Sequence, residues 1–231
     1  MIYVTGDLHG ERAQIKTYIE ALSAGDILLI AGDFGLPWWP RQTARHFKDD
    51  KLLKLLSEAP FTTCYVDGNH ENFDMLKKFP LEEKWGSMVQ NVHGIFHLMR
   101  GELYTIEGHK VFTFGGATST DQEYRTPRIS WWPQEVCSEE ERAHAIKTLE
   151  ACNWAVDYVI THTAPLQFKP VYAHTLLGRD MPCLTANFLS EICPKLSYKR
   201  WFFGHFHDDT SHDGLKARLI YDDIIPLEGN E

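Results

Sequence analysis

Five short polar segments, each placed directly after an apolar run of strand length, constrain this chain more than any other feature. They are Gly6-Asp7-Leu8-His9-Gly10 after Ile2 to Thr5, Gly32-Asp33 after Ile27 to Ala31, and Gly68-Asn69-His70-Glu71 after Phe61 to Val66. Thr161-His162 then ends the run from Val156, and Gly204-His205-Phe206-His207 follows Trp201 to Phe203. In open α/β sheets ligands bind beyond the carboxyl ends of the strands, and each of these polar groups projects from such an end. Four of the five segments carry a glycine, which lets the backbone turn sharply and approach a ligand closely.

The stretches between these segments set the fold class. Ala13 to Leu22 spaces Ile15, Ile19 and Leu22 as a helix does, Lys51 to Leu56 reads as a second helix, and a short helix follows Asn69. Strand, turn and helix repeated in this way indicate βαβ units and a largely parallel sheet. Beyond residue 94 the character changes. Ile95 to Leu98, Glu102 to Ile106 and Lys110 to Phe114 are short, partly alternating and separated by Arg100-Gly101 and Gly108-His109. They read as antiparallel strands, so a second, mixed sheet is expected. A helix is expected from Glu139 to about Cys152, with Ser138 as N-cap and Glu141 as its capping-box partner. Its acidic start, Glu139 to Glu141, suits the positive end of the helix dipole. Ala217 to Tyr221 is strand-like again. With no repeat, low-complexity tract or linker, residues 1–231 read as one domain, and that length buries a core without disulfide staples.

Charge and cysteine usage narrow the function classes. Lys and Arg number 23 against 32 Asp and Glu, a net charge of −9. No basic footprint exists for tight non-specific binding of nucleic acid or of an anionic membrane. A nucleotide substrate stays open, because bound cations can reverse the local field. Five scattered cysteines without a C-x-x-C spacing argue against a disulfide framework or a thiolate zinc site. Reduced thiols, no charged leader and no membrane-length apolar run make a cytoplasmic protein the expectation.

The chemistry of the five segments agrees with their placement. Asp7, Asp33, His9, His162, His205, His207 and Asn69 form a mixed oxygen and nitrogen set with no soft thiolate, suited to Mn²⁺, Fe, Zn²⁺ or Ni²⁺. In Asp7-x-His9 and His205-x-His207, side chains two apart share a face of an extended segment and can converge on one point. Asp33 is a single carboxylate able to bridge two metals. Two metals about 3.5–4 Å apart clamp the attacking and leaving oxygens in phosphate ester hydrolysis. Alone, a Gly-Asp pair is a turn and His162 a hydrogen-bonded structural histidine. The conjunction, in this order and after these strands, is what points to a metal site.

The series Asp-x-His, Gly-Asp, Gly-Asn-His-Glu, His, Gly-His-x-His resembles the calcineurin-like metallophosphoesterase superfamily, and it spans residues 7 to 207. The resemblance implies an α/β fold, a four-layer α/β/β/α sandwich of two mixed sheets flanked by helices. It implies two divalent ions, Mn²⁺ foremost. Asp7, His9 and His207 would hold one, Asn69, His162 and His205 the other, and Asp33 would bridge them. It implies hydrolysis of a phosphate monoester or diester by a metal-bridging hydroxide attacking in line. His70 matches the motif histidine that protonates the leaving oxygen or stabilises the transition state. The substrate would be a phosphorylated small molecule, a nucleotide or a phosphoprotein. A non-catalytic scaffold on the same fold is the alternative, but such a scaffold should have lost ligands, and here all seven and His70 are present.

The wording of the first and third segments is similar to the protein phosphatase and dinucleoside-tetraphosphatase branch, with one departure. That branch continues its Gly-Asp into Asp-Arg-Gly, whereas Asp33 is followed by Phe34-Gly35-Leu36-Pro37-Trp38-Trp39. The phosphate-binding Arg and the Asp supporting the motif histidine are missing there, which weakens a protein phosphatase reading. Substitutes are expected from Gly115-Gly116-Ala117-Thr118-Ser119-Thr120-Asp121 and from Arg125 and Arg128, ahead of Trp131-Trp132. Trp38 and Trp39 are read first as packing residues and second as groups that stack on a base or cover the site. His46, His93, His97, His109, His144, His174 and His212 fit no motif and read as structural or solvated.

Overall fold

A computed structural model describes residues 1–40, 43–178 and 183–229. In chain order the elements are β1 (Ile2–Thr5), α1 (Arg12–Ala21), β2 (Ile27–Ile30), α2 (His46–Ser57), β3 (Thr62–Val66) and α3 (Phe73–Leu76). Then come β4 (Leu81–Lys84), β5 (Ser87–Val92), β6 (Ile95–Leu98), β7 (Glu102–Ile106), β8 (His109–Phe114), α4 (Glu139–Ala151) and β9 (Tyr158–Thr161). The chain ends with α5 (Lys169–Tyr172), α6 (Leu184–Ile192), β10 (Arg200–Phe203), β11 (Thr210–His212), β12 (Ala217–Leu219) and β13 (Ile225–Pro226).

Among the described residues the strands form two mixed sheets. One has seven strands in the order β13-β1-β2-β3-β6-β5-β4, the other six in the order β11-β12-β10-β9-β8-β7. Strand alternation explains the layering. In β2, Leu28 and Ile30 face outward onto Ile15, Tyr18, Leu52 and Leu56 of α1 and α2. Ile27 and Leu29 face inward, in one cluster with Val111, Ile160 and Phe202 of the second sheet. In β10, Trp201 and Phe203 face the other way, onto Leu149 of α4 and Phe188 and Leu189 of α6. Three apolar layers between four structural ones make the expected α/β/β/α sandwich.

The parallel core of the first sheet is β1, β2, β3 and β6, and that of the second is β8, β9, β10 and β12. The run from Ile95 to Leu98 therefore differs from its reading as part of an antiparallel second sheet. It lies parallel to β3 in the first sheet, with Tyr65 opposite His97, and antiparallel to β5. Ile95 and Leu98 are fully buried, so a place beside a central strand wins over hairpin pairing with β7. The capping box forms as expected: Ser138 Oγ accepts from Glu141 N at 3.1 Å and Glu141 Oε2 accepts from Ser138 N at 2.7 Å.

Candidate active site

The carboxyl ends of β1, β2 and β3 meet those of β9 and β10 at one edge of the sandwich, so both sheets feed a single cluster. Asp7, Asp33, Asn69, His162 and His205 are buried there, His9 is half-buried and His207 is exposed. Asp7, His9 and His207 bring one ligand atom each within 4.8 Å of one another, and so do Asp7, Asp33 and His162. His9 Nε2 lies 3.3 Å from His207 Nε2 and 3.7 Å from Asp33 Oδ2. His162 Nε2 lies 3.3 Å from Asp33 Oδ1 and 3.0 Å from Asn69 Oδ1, while the His162 and His205 rings meet edge to face at 5.1 Å.

The backbone is bent to achieve this. His9, Asp33, His205 and His207 all have positive φ, between 46° and 69°. Non-glycine residues rarely adopt that region, and such residues gather at functional sites where the surroundings over-determine them. Two glycines make room. A Cβ on Gly68 would lie 2.0 Å from Asp33 Oδ1, and one on Gly32, whose φ is +99°, would lie 2.1 Å from His162 Nδ1.

Electrostatics fit a cation. Burial works to raise the Asp33 carboxyl, but His162, His70 and His9 outweigh it and hold that carboxyl well below its ordinary value. Burial, aided by the charge of Asp33, pushes Asp7 up to about 7 against the pull of His162. Burial lowers His162 less than Asp33 and Asp7 raise it, so it is brought up to about 10. Burial and His162 press His205 down to about 3, and burial also lowers His9 and His207. Two buried carboxylates with His9, His205 and His207, whose lowered values favour the neutral ring, form an oxygen and nitrogen donor set for divalent metal. A cation placed between Asp7 and Asp33 would take over the charge that now holds the His162 proton. The residues present fit the ions that the donor chemistry calls for.

His70 sits beside this cluster, its ring 5.1 Å from that of His9 and its backbone N–H donating to Asp33 Oδ1 at 2.7 Å. Burial, with the charge of Arg125, lowers it to about 4 against the pull of Asp33. The Arg125 guanidinium reaches both ring nitrogens of His70, at 3.3 and 3.0 Å, and is anchored by Asp121 at 2.8 Å and by Ser130 O at 3.2 Å. Arg128 is not brought in. It pairs with Asp74 at 3.3 Å and its side chain is 59% exposed.

Several contacts that support the cluster are not announced by any motif. Asn69 Nδ2 donates to Ser119 Oγ at 3.0 Å, and Ser119 Oγ donates to Glu135 Oε2 at 2.7 Å, which leaves Asn69 Oδ1 turned toward His162. The Gly115 to Asp121 stretch thus contributes Ser119 to the support of Asn69. Glu71 holds the loop that departs from the Asp-Arg-Gly pattern, its carboxylate accepting from Phe34 N at 2.8 Å and Gly35 N at 3.1 Å. Asp67, next to the third segment, is bound by Arg100 Nε at 2.9 Å and by His97 Nε2 at 3.1 Å. His97, without a motif, therefore has a buried polar partner. Trp132 is buried and donates to Asp74 Oδ2 at 3.1 Å.

A two-sheet sandwich whose strand ends gather carboxylates, imidazoles and a carboxamide defines the class of metal-dependent phosphoester hydrolases. The chain belongs to the calcineurin-like phosphoesterase family, whose model matches residues 1–209. Among solved structures it is similar to the phosphopantetheinyl hydrolase (PptH) from Mycobacterium tuberculosis, at 18% identity and a TM-score of 0.48, over 95% of this chain and 87% of that one. No curated protein matches the sequence. Among the described residues no helix is long and apolar enough to cross a membrane.

Proposed function

We propose that this protein hydrolyses small-molecule phosphate esters with two divalent ions, of which Mn²⁺ is the first to test. The observation that carries this reading is Asp33, whose two oxygens face different ligand sets. Oδ2 lies toward His9, next to His207, and Oδ1 lies toward His162, next to Asn69, while Asp7 is within reach of both sets, its Oδ1 3.3 Å from His162 Nδ1. Asp7, His9 and His207 would hold one ion, Asn69, His162 and His205 the other, with Asp33 between them. When bound, the ions would supply an activated water and offset charge on the phosphoryl oxygens.

The protein's own groups do the rest. His70, at the rim of the cluster, would donate a proton or an N–H to the leaving oxygen. Arg125, already held over His70 by Asp121 and Ser130, would bind a phosphoryl oxygen in place of the absent Asp-Arg-Gly arginine. Asp7 accepts His205 N on both oxygens at 3.1 Å and so fixes the histidine loop against β1.

The test is hydrolysis of p-nitrophenyl phosphate and bis-p-nitrophenyl phosphate by chelator-stripped protein reloaded with Mn²⁺, Fe²⁺, Zn²⁺ or Ni²⁺, with Asp33→Asn as blank. Turnover that needs both metal and Asp33 is expected, and the preferred ester separates phosphatase from phosphodiesterase. Rates equal to the blank with every metal would refute the proposal.

A further inference from the structure

Beside the ligand cluster lies a cavity of about 270 Å³. His9 and His70 line one part of it and Gly35, Trp38, Trp39 and Lys48 another. A pocket that shares two histidines with the reaction centre receives the part of the substrate next to the phosphorus. Its two tryptophans therefore bear on what that part is.

Both indoles are half-buried and held by neighbours. Asp49 Oδ2 accepts the backbone N–H groups of Trp38 and Trp39, each at 2.8 Å, which fixes the dipeptide against α2. Trp38 packs edge to face on Trp132 at 5.2 Å, and its carbonyl accepts from Asn72 Nδ2 at 2.6 Å. The Arg45 guanidinium lies 4.5 Å over the Trp39 ring. Indoles fixed in this way lose little freedom when a flat ring is laid against them, so stacking there is strengthened by preorganisation.

The charges select further. Lys48 is exposed and is the only Lys or Arg among the lining residues, and Asp49, the one carboxylate among them, is taken up by the Trp38 and Trp39 N–H groups. A cation beside two indoles suits a flat ring carried on an anionic chain. At about 270 Å³ the cavity has room for a group of the size of one nucleoside.

We propose that the cavity between the ligand cluster and Trp38-Trp39 is a nucleoside subsite, so that the ester hydrolysed is a nucleotide whose base stacks on these indoles. The proposal rests on the phosphoesterase reading for its reaction but not for its binding. Asp49 and Arg45 act as positioning residues for the two rings.

Binding and turnover separate the two readings. Titration calorimetry on metal-free and Mn²⁺-reloaded protein compares AMP with ribose 5-phosphate, which lacks only the base. AMP is expected to bind about tenfold more tightly, with Trp39→Ala abolishing the difference and Trp39→Phe keeping most of it. In turnover, the kcat/KM ratio of thymidine 5′-p-nitrophenyl phosphate over methyl p-nitrophenyl phosphate should fall about tenfold in Trp39→Ala. Should Trp39→Ala fail to fold, Trp39→Leu, which keeps the bulk without a flat ring, should lose the same ratio, and a ratio equal to that of wild type would overturn the subsite. Equal binding of AMP and ribose 5-phosphate by the wild-type protein would overturn the subsite whatever the turnover. Base-dependent binding without turnover of any ester would uphold it and overturn the hydrolase reading.

Discussion

Arg100→Met is expected to be among the most destabilising single changes outside the ligand cluster. Arg100 and Asp67 are almost wholly enclosed, their side chains 4% and 2% exposed. The guanidinium binds Asp67 through two nitrogens and donates to Gln134 O at 2.8 Å, Glu135 O at 3.4 Å and Glu141 Oε2 at 3.1 Å. Removing one member of a buried pair strands the other charge and costs about 3–5 kcal/mol. Each lost carbonyl partner adds about 1 kcal/mol. A total of about 5–7 kcal/mol approaches the stability of many whole domains, about 5–15 kcal/mol.

The double variant Arg100→Met/Asp67→Asn removes the stranded charge as well. It should be more stable than Arg100→Met alone by about 2 kcal/mol, a non-additivity expected only of groups in contact. The pH dependence follows from the direction of the Asp67 shift. Burial would raise its carboxyl, but Arg100 and His97 overcome burial and hold it well below the ordinary value. Its contribution is therefore fully present above its unfolded pKa of about 4 and is lost as pH falls through the depressed folded value. In Arg100→Met burial is far less opposed, so the penalty is present above about pH 4 and is relieved by protonation below it. Urea unfolding followed by tryptophan fluorescence at pH 7 and pH 4 should show the gap to wild type narrowing in acid. A cost below about 1 kcal/mol at pH 7, or a double variant costing the sum of the two singles, would refute this reasoning.

Other predictions concern the site itself. Ions that bind the folded cluster and not the unfolded chain should stabilise the protein by about 2.7 kcal/mol at a hundredfold excess over Kd. Scanning calorimetry should show a raised melting temperature on Mn²⁺ addition that EDTA reverses and Asp33→Asn diminishes. Gly68→Ala and Gly32→Ala should abolish metal-dependent turnover, because their new methyl groups would fall on Asp33 and His162. Gly108→Ala, also at positive φ (+85°) but with nothing within 4 Å of its Cβ position, should cost about 1 kcal/mol and leave turnover intact. Glu135→Gln should weaken metal binding about tenfold in a competition titration, since second partners of ligands tune affinity on that scale. Unchanged affinity would remove Ser119 and Glu135 from any role in orienting Asn69.

Why these features divide as they do between legible and hidden is a matter of range. The segments that build the candidate site are legible because each is a local event, a strand end followed by a polar donor, in most cases with glycine beside it, repeated along the chain. Helix α4 is legible for the same reason, its capping box closing over three residues. The hairpin of β4 and β5 escapes because Leu81-Glu82-Glu83-Lys84 is an exposed, polar edge strand whose pairing with residues 87–90 leaves no apolar rhythm. Helix α6 carries an apolar stretch that single-sequence reading does not separate from a buried strand. Asp67 and Arg100 are 33 positions apart and become partners only when β3 and β6 lie side by side. Ser119 and Glu135 meet only across a loop.

The deepest unread feature is conformational. Positive φ at His9, Asp33, His205 and His207 marks four left-handed positions in residues that disfavour them. Each costs on the order of 1 kcal/mol or more, and nothing in residue identity announces it. The surrounding bonds hold those conformations in place: His9 N to Asp33 O at 2.7 Å, Gly10 N to Phe34 O at 3.0 Å, and Asp7 to His205 N. The Asp33 carboxylate itself is held by His70 N at 2.7 Å on Oδ1, with His162 beside that oxygen and His9 beside Oδ2. A chain free to relax these four residues would turn their side chains away from one another, so the left-handed positions go with the meeting of both sheets' strand ends at a single point.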